Sequence, residues 1–159
     1  MKLCLVQHGE ARSKAEDPER PLTERGREDV VRVATFAATV GLQVRQIRHS
    51  GKRRAEETAS ILAEYLPPTG GLIAVPGMSP RDDVHPIAEA LRVETQPVML
   101  VGHLPFLDRL ASLLVTGDAE RSIVRFQMGG IVCLMGEETH WAVGWMVTPD
   151  LIPWIRSIP

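Results

Sequence analysis

Two histidines stand directly behind apolar runs. His8 follows Leu3-Cys4-Leu5-Val6-Gln7 and precedes Gly9-Glu10, and His103 follows Val98-Met99-Leu100-Val101-Gly102. Imidazole is the side chain best suited to proton and group transfer near neutral pH, and two rings at strand exits can be aimed into one cleft. Gly9 lets a substrate approach the backbone closely. The segment Ser50-Gly51-Lys52-Arg53-Arg54-Ala55-Glu56-Glu57-Thr58 opens a helical pattern directly after an alternating one. It therefore brings free N–H groups, the positive end of a helix and a guanidinium to the same rim, which suits a compact anion such as phosphate.

The elements that must hold these residues follow from periodicity. Residues 2–7 read as a buried strand, and Pro21-Leu22-Thr23 offers a turn and a hydroxyl cap for a helix over 24–40, which Gly41 stops. Residues 44–49 alternate as a second strand, 52–65 carry helical spacing, and Pro67-Pro68 ends that helix. A short strand at 72–75, a helix over 82–93, an apolar strand at 97–101 and a helix from 105 to about 115 come next, and then a hairpin-like pair at 131–135 and 141–147. Residues 148–159, with three prolines and Trp154, read as a C-terminal tail. Strand-helix alternation predicts a three-layer α/β/α sandwich with a mainly parallel central sheet and an antiparallel edge strand. Ligands of such sheets gather beyond the carboxyl ends of the strands, where His8 and His103 would lie.

Composition sets the frame. A chain of 159 residues, 44% hydrophobic and 24% charged, suits one globular domain spanning residues 1–159. A formal net charge of −2 argues against a nucleic-acid partner. No acidic residue lies between Asp29 and Glu56, whereas Arg32, Arg45, Arg48, Lys52, Arg53 and Arg54 do, which predicts a local positive surface. The apolar run after Met1-Lys2 is too short for a signal peptide, and nothing approaches the roughly 20 apolar residues of a membrane span. A soluble cytoplasmic protein with no membrane partner is expected. Cys4 and Cys133 sit in apolar runs without ligand spacing and read as small buried hydrophobes with reduced thiols.

At four places the residues resemble the histidine phosphatase superfamily, phosphoglycerate mutase-like in fold, and within it the SixA-like phosphohistidine phosphatases. These are His8-Gly9-Glu10, Pro21-Leu22-Thr23-Glu24-Arg25-Gly26, Ser50 with Arg54-Ala55 and Thr58, and Val101-Gly102-His103-Leu104-Pro105. The resemblance implies that His8 attacks the phosphoryl group, that Arg54 and His103 grip its equatorial oxygens, and that water hydrolyses the phosphohistidine formed. Gln7, Gly9, Glu10, Ser50 and Gly102 are the expected substrate-binding residues, with no metal and no cofactor. The expected partner is a phosphohistidine-bearing protein, such as a phosphotransfer domain, or a small phosphorylated substrate. So short a chain leaves little room for an inserted lid, so an open site is expected.

Two departures bear on activity. The family motif reads Arg-His-Gly, and this chain has Gln7 in place of that arginine. A neutral amide donor is worth about half a charge-assisted one, so phosphoryl binding should weaken by about 1–3 kcal/mol. Arg12, Lys52 and Arg53 are the cations that could compensate. No carboxylate stands where many members carry a general acid. Asp82 or Asp83 could reach, although Ser79-Pro80-Arg81-Asp82 also reads as a helix start with Ser79 as cap. An imidazole leaving group needs less proton assistance than an alkoxide, which agrees with the phosphoramidate-cleaving branch.

Other chemistries compete. A non-catalytic phosphoryl-binding module would keep the fold and pocket with Gln7 marking lost turnover, and a small-molecule phosphomonoesterase would need a carboxylic acid. A metallohydrolase built on His8, Glu10, His103 and Asp82 lacks local ligand spacing and would sit among cations. Cys4 as a nucleophile with His8 fails on geometry, because four residues of strand separate them by about 13 Å. Thr58, one turn beyond Arg54, either orients that arginine or packs. His49 could line the rim, and His85 and His140 read as surface residues.

Overall fold

The computed structural model describes residues 1–153, so Trp154 and the rest of the predicted tail lie outside the described residues. In chain order the elements are β1 (Lys2–Gln7), α1 (Glu24–Thr39), β2 (Gln46–His49), α2 (Arg53–Tyr65), β3 (Leu72–Ala74), α3 (His85–Arg92), β4 (Val98–Gly102), α4 (Phe106–Thr116), β5 (Ile131–Glu137) and β6 (His140–Val147). The sheet order is β3-β2-β4-β1-β5-β6. The first four of these strands pair in parallel, whereas β5 runs antiparallel to both β1 and β6.

Alternation along the strands builds the three layers. Cys4 and Val6 of β1 pack with Met99 and Val101 of β4 against Val30, Val33, Ala34, Ala55 and Leu62 of α1 and α2. Leu3, Leu5, Val98 and Leu100 point the opposite way, onto Ala88, Phe106, Leu107 and Leu110 of α3 and α4. That is the period of two expected of strands covered on both faces. Cys4 and Cys133 are buried and face each other across the β1–β5 register. Among the described residues no helix is long and apolar enough to cross a membrane.

The helix expected over 82–93 begins later, at His85, with a proline in its first turn. Ser79 does not cap it. Asp82 closes a tight turn instead, its Oδ2 accepting the Ser79 N–H at 2.8 Å, while Asp83 Oδ1 accepts the His85 N–H at 3.0 Å. Side-chain bonds to nearby backbone compete with helix formation, and here they delay the start by three residues. The start of the predicted tail is also ordered: Pro149–Leu151 make a 3-10 turn, and Arg32 Nη1 donates to the Pro149 carbonyl at 3.0 Å.

The expected positive surface is broken up by ion pairs. Arg32 binds Asp29, Arg48 binds Glu94 at 2.8 Å, and Arg53 binds Glu19 and Glu57. Glu94 and Glu19, distant in sequence, act with Asp29 and Glu57, one helical turn from their arginines, to neutralise the run.

Candidate active site

β4 lies between β1 and β2, with Gln7 opposite Gly102 and His49 opposite Val101. The carboxyl ends of three neighbouring parallel strands therefore deliver His8, His103 and Ser50 side by side, as the topology of open α/β sheets requires. The His8 N–H donates to the Gly102 carbonyl at 3.0 Å, extending the ladder by one residue. The two imidazole centroids stand 5.1 Å apart with a 53° tilt.

His8 is 9% exposed, and its Nδ1 lies 2.7 Å from the Gly9 carbonyl. A carbonyl only accepts, so Nδ1 carries the proton and the neutral ring keeps its lone pair on Nε2. Burial lowers the pKa of His8 to about 4, the Gly9 hydrogen bond opposes that, and the Arg54 and Arg20 charges lower it further. Near neutral pH the ring is uncharged, with its lone pair on Nε2.

The motifs pack onto one another through two glycines. A Cβ on Gly26 would lie 2.1 Å from the Glu10 carbonyl oxygen, and one on Gly9 would lie 2.9 Å from Val30. Only glycine lets the first turn of α1 press against the loop that follows His8. Thr23 caps α1 by accepting the Gly26 N–H at 3.0 Å and donates to Glu10 Oε1 at 2.9 Å. Glu10 is thereby held toward the helix start. Thr58 accepts the Gly9 N–H at 3.0 Å and donates to the Arg54 carbonyl at 2.8 Å, so it fixes backbone rather than the guanidinium.

Arg54 sits in the first turn of α2, whose N-cap, Lys52, makes no side-chain capping bond. Burial and the charge of Arg20 push the Arg54 pKa down, yet a guanidinium stays protonated in proteins. Burial also lowers His103, with the Arg54, His8, Lys52 and Arg20 charges adding to it, to about 3. All the charges that act on the two imidazoles are cationic.

Arg20 is the residue that sequence reasoning missed. Its charge reaches His8, Arg54 and His103. Its Nε donates to the Arg12 carbonyl at 3.2 Å, and its backbone adopts φ of 50°, which is unusual for a non-glycine residue. The signal was available: Arg20 immediately precedes the Pro21-Leu22-Thr23 turn, in the loop that leaves His8. Of the three cations expected to compensate for Gln7, Arg53 is held by Glu19 and Glu57, Arg12 is exposed, and only Lys52 acts on a site histidine.

The other expected site residues fall as follows. Gln7 is half-buried with Oε1 enclosed and unpartnered. Gly102 is buried, its carbonyl taken by His8. His49 is 6% exposed and its Nδ1 accepts the Gly51 N–H at 3.1 Å, so it shapes the turn after β2 rather than the rim. His85 and His140 are exposed. Glu10 turns to Thr23 and Asp82 to Ser79, so the structure does not gather His8, Glu10, His103 and Asp82 into one donor set. No other group of three or more such ligands forms among the described residues. An open cleft of about 920 Å³ borders the histidines without containing them, lined by Gln7, Glu10, Leu104, Phe126 and residues of α1.

Comparison with known proteins agrees with this architecture. Residues 3–72, which include most of β1, His8, the Pro21–Gly26 turn, Arg54 and Thr58, match the model of the histidine phosphatase superfamily (branch 1). The protein histidine phosphatase SixA, solved with tungstate, superposes with a TM-score of 0.85 over 95% of this chain and 99% of that one, at 22% identity. The chain carries the histidine phosphatase fold. Two further solved structures superpose with lower TM-scores. A candidate phosphohistidine phosphatase SixA from Agrobacterium tumefaciens gives 0.75 at 22% identity, covering 93% of this chain and 97% of that one. Phosphoserine phosphatase from Entamoeba histolytica, in complex with 3-phosphoglyceric acid, gives 0.69 at 16% identity, covering 91% and 95%. No curated protein matches the chain by sequence.

Proposed function

We propose that the protein is a metal-independent phosphatase of the SixA kind, acting on a phosphoramidate borne by a protein histidine. The observation that carries this reading is the tautomer of His8. Its Nδ1–H is spent on the Gly9 carbonyl at 2.7 Å, which leaves a neutral Nε2 lone pair at the end of a parallel strand. Nε2 attacks phosphorus, the bond from phosphorus to the leaving nitrogen breaks, and the electron pair departs with that imidazole, which leaves neutral because its other ring nitrogen already carries a proton. Arg54, Arg20 and His103 supply donors to the phosphoryl oxygens, and the uncapped first turn of α2 adds its positive end. Water then attacks the phosphohistidine, releasing phosphate and restoring His8. An imidazole leaves with little proton assistance, which fits a site where only cationic charges bear on the histidines.

Gln7 favours a second reading, a phosphoryl-binding module that no longer turns over. One experiment separates the two. The protein is incubated with a radiolabelled phosphohistidine domain and quenched in base. Label on the unaltered protein, lost in His8→Ala, together with phosphate release, is the expected result. Binding without label or release would sink the enzyme reading. Phosphoserine peptides turned over faster than the phosphohistidine domain would point instead to a phosphomonoesterase.

A further inference from the structure

His103 has one free nitrogen, and which one matters. The ring is 1% exposed, Nε2 lies 2.6 Å from Ser50 Oγ, and Nδ1 is buried with no partner among the described residues. Arg54 Nε is likewise buried and unpartnered. Buried polar groups are normally satisfied, so two orphaned donors beside one nucleophile call for an acceptor that a ligand would bring. Burial and the surrounding cations keep the His103 ring neutral, and a neutral imidazole has a single N–H. With Nε2 engaged, the atom left for a phosphoryl oxygen is Nδ1. It donates only if Nε2 is the bare nitrogen. Ser50 can enforce that, because its Oγ already accepts the Lys52 N–H at 3.3 Å and its own proton is free to turn toward Nε2.

We propose that Ser50 is a positioning residue: its hydroxyl donates to His103 Nε2 and holds the ring as the Nδ1–H tautomer, so that Nδ1–H meets a phosphoryl oxygen. The proposal rests on the phosphoryl-binding reading of the site but not on turnover. The two histidines then share a tautomer and use opposite ends of it. His8 spends Nδ1–H on Gly9 and attacks through Nε2; His103 spends the Nε2 lone pair on Ser50 and donates through Nδ1.

The test is a two-bond proton–nitrogen correlation spectrum of protein labelled with 15N-histidine near pH 7, with and without inorganic phosphate. His103 is expected to show a protonated Nδ1 and a bare Nε2, with the Nδ1 resonance moving on phosphate addition. Ser50→Ala should populate the Nε2–H form and weaken phosphate affinity about tenfold, whereas Ser50→Thr keeps both properties. An Nε2–H ring in the unaltered protein overturns the proposal, as does a Ser50→Ala variant whose tautomer and phosphate affinity do not change. The unaltered spectrum decides even if that variant fails to fold. The Nδ1–H form alongside absent turnover would sink the phosphatase reading and leave the role of Ser50 standing.

Discussion

The Thr58 hydroxyl accepts the amide of Gly9 at 3.0 Å while donating to the Arg54 carbonyl at 2.8 Å. One fully buried side chain therefore couples the loop that follows His8 to the helix that carries Arg54. Thr58→Val keeps the shape and strands the buried Gly9 N–H, which should cost about 1–3 kcal/mol of stability. Chemical denaturation of the variant checks this, and Thr58→Ser should recover most of the loss.

Gln7 puts a neutral amide in the proposed anion site at the end of β1. Replacing it with arginine adds a charge-assisted donor worth about 1–3 kcal/mol, so inorganic phosphate or tungstate should bind roughly tenfold to a hundredfold more tightly. Calorimetric titration measures that gain. An unchanged affinity would mean that Gln7 does not face the anion.

Arg20 adds positive charge from the loop that follows His8. Arg20→Gln should weaken tungstate binding about tenfold, and it should let the pKa of His8 rise, because one of the charges that depress it is removed. Following the His8 ring by NMR across pH reads the direction without any assay of turnover.

Acid should strike this protein through its buried imidazoles. His8 falls from 6.5 to about 4 and His103 to about 3 in the folded state. Below pH 6.5 the unfolded chain binds protons that the folded chain refuses, so stability falls as pH drops from 6.5 toward 4, by on the order of a few kcal/mol. Nucleophilic competence is lost only as His8 itself protonates near pH 4. Urea midpoints between pH 7 and 4.5 should decline, and His103→Gln should flatten the decline.

Gly26 tolerates no side chain. A Cβ there would meet the Glu10 carbonyl oxygen at 2.1 Å, and backbone cannot rotate away as a side chain can. Gly26→Ala should destabilise by about 3 kcal/mol and displace the loop that follows His8, so thermal melts and anion affinity should fall together.

Much was legible along the chain because it is written in local patterns. Apolar runs of period two and helical runs of period 3.6 marked the strands and helices, Thr23 and Gly26 marked the start of α1, and glycine-histidine exits placed two rings at the sheet's carboxyl edge. The motifs at His8, Ser50 to Thr58 and His103 thus pointed to a phosphoryl site before any coordinates. Pairing was not legible. Arg48 and Arg53 looked like part of one positive face until Glu94 and Glu19 met them in space. Asp82 looked like a helix-start acid until its carboxylate closed a turn on Ser79. Nor did the chain disclose which end of each imidazole is free. That depends on the Gly9 carbonyl for His8, and for His103 on a serine 53 residues away in sequence. Hydrogen bonds and charges act over a few ångströms of space, whatever their separation in sequence. The kinds of residue at the site were therefore readable from order alone, while their protonation, their partners and the part of Arg20 were settled by the packing of β1, β4 and α2 into one edge.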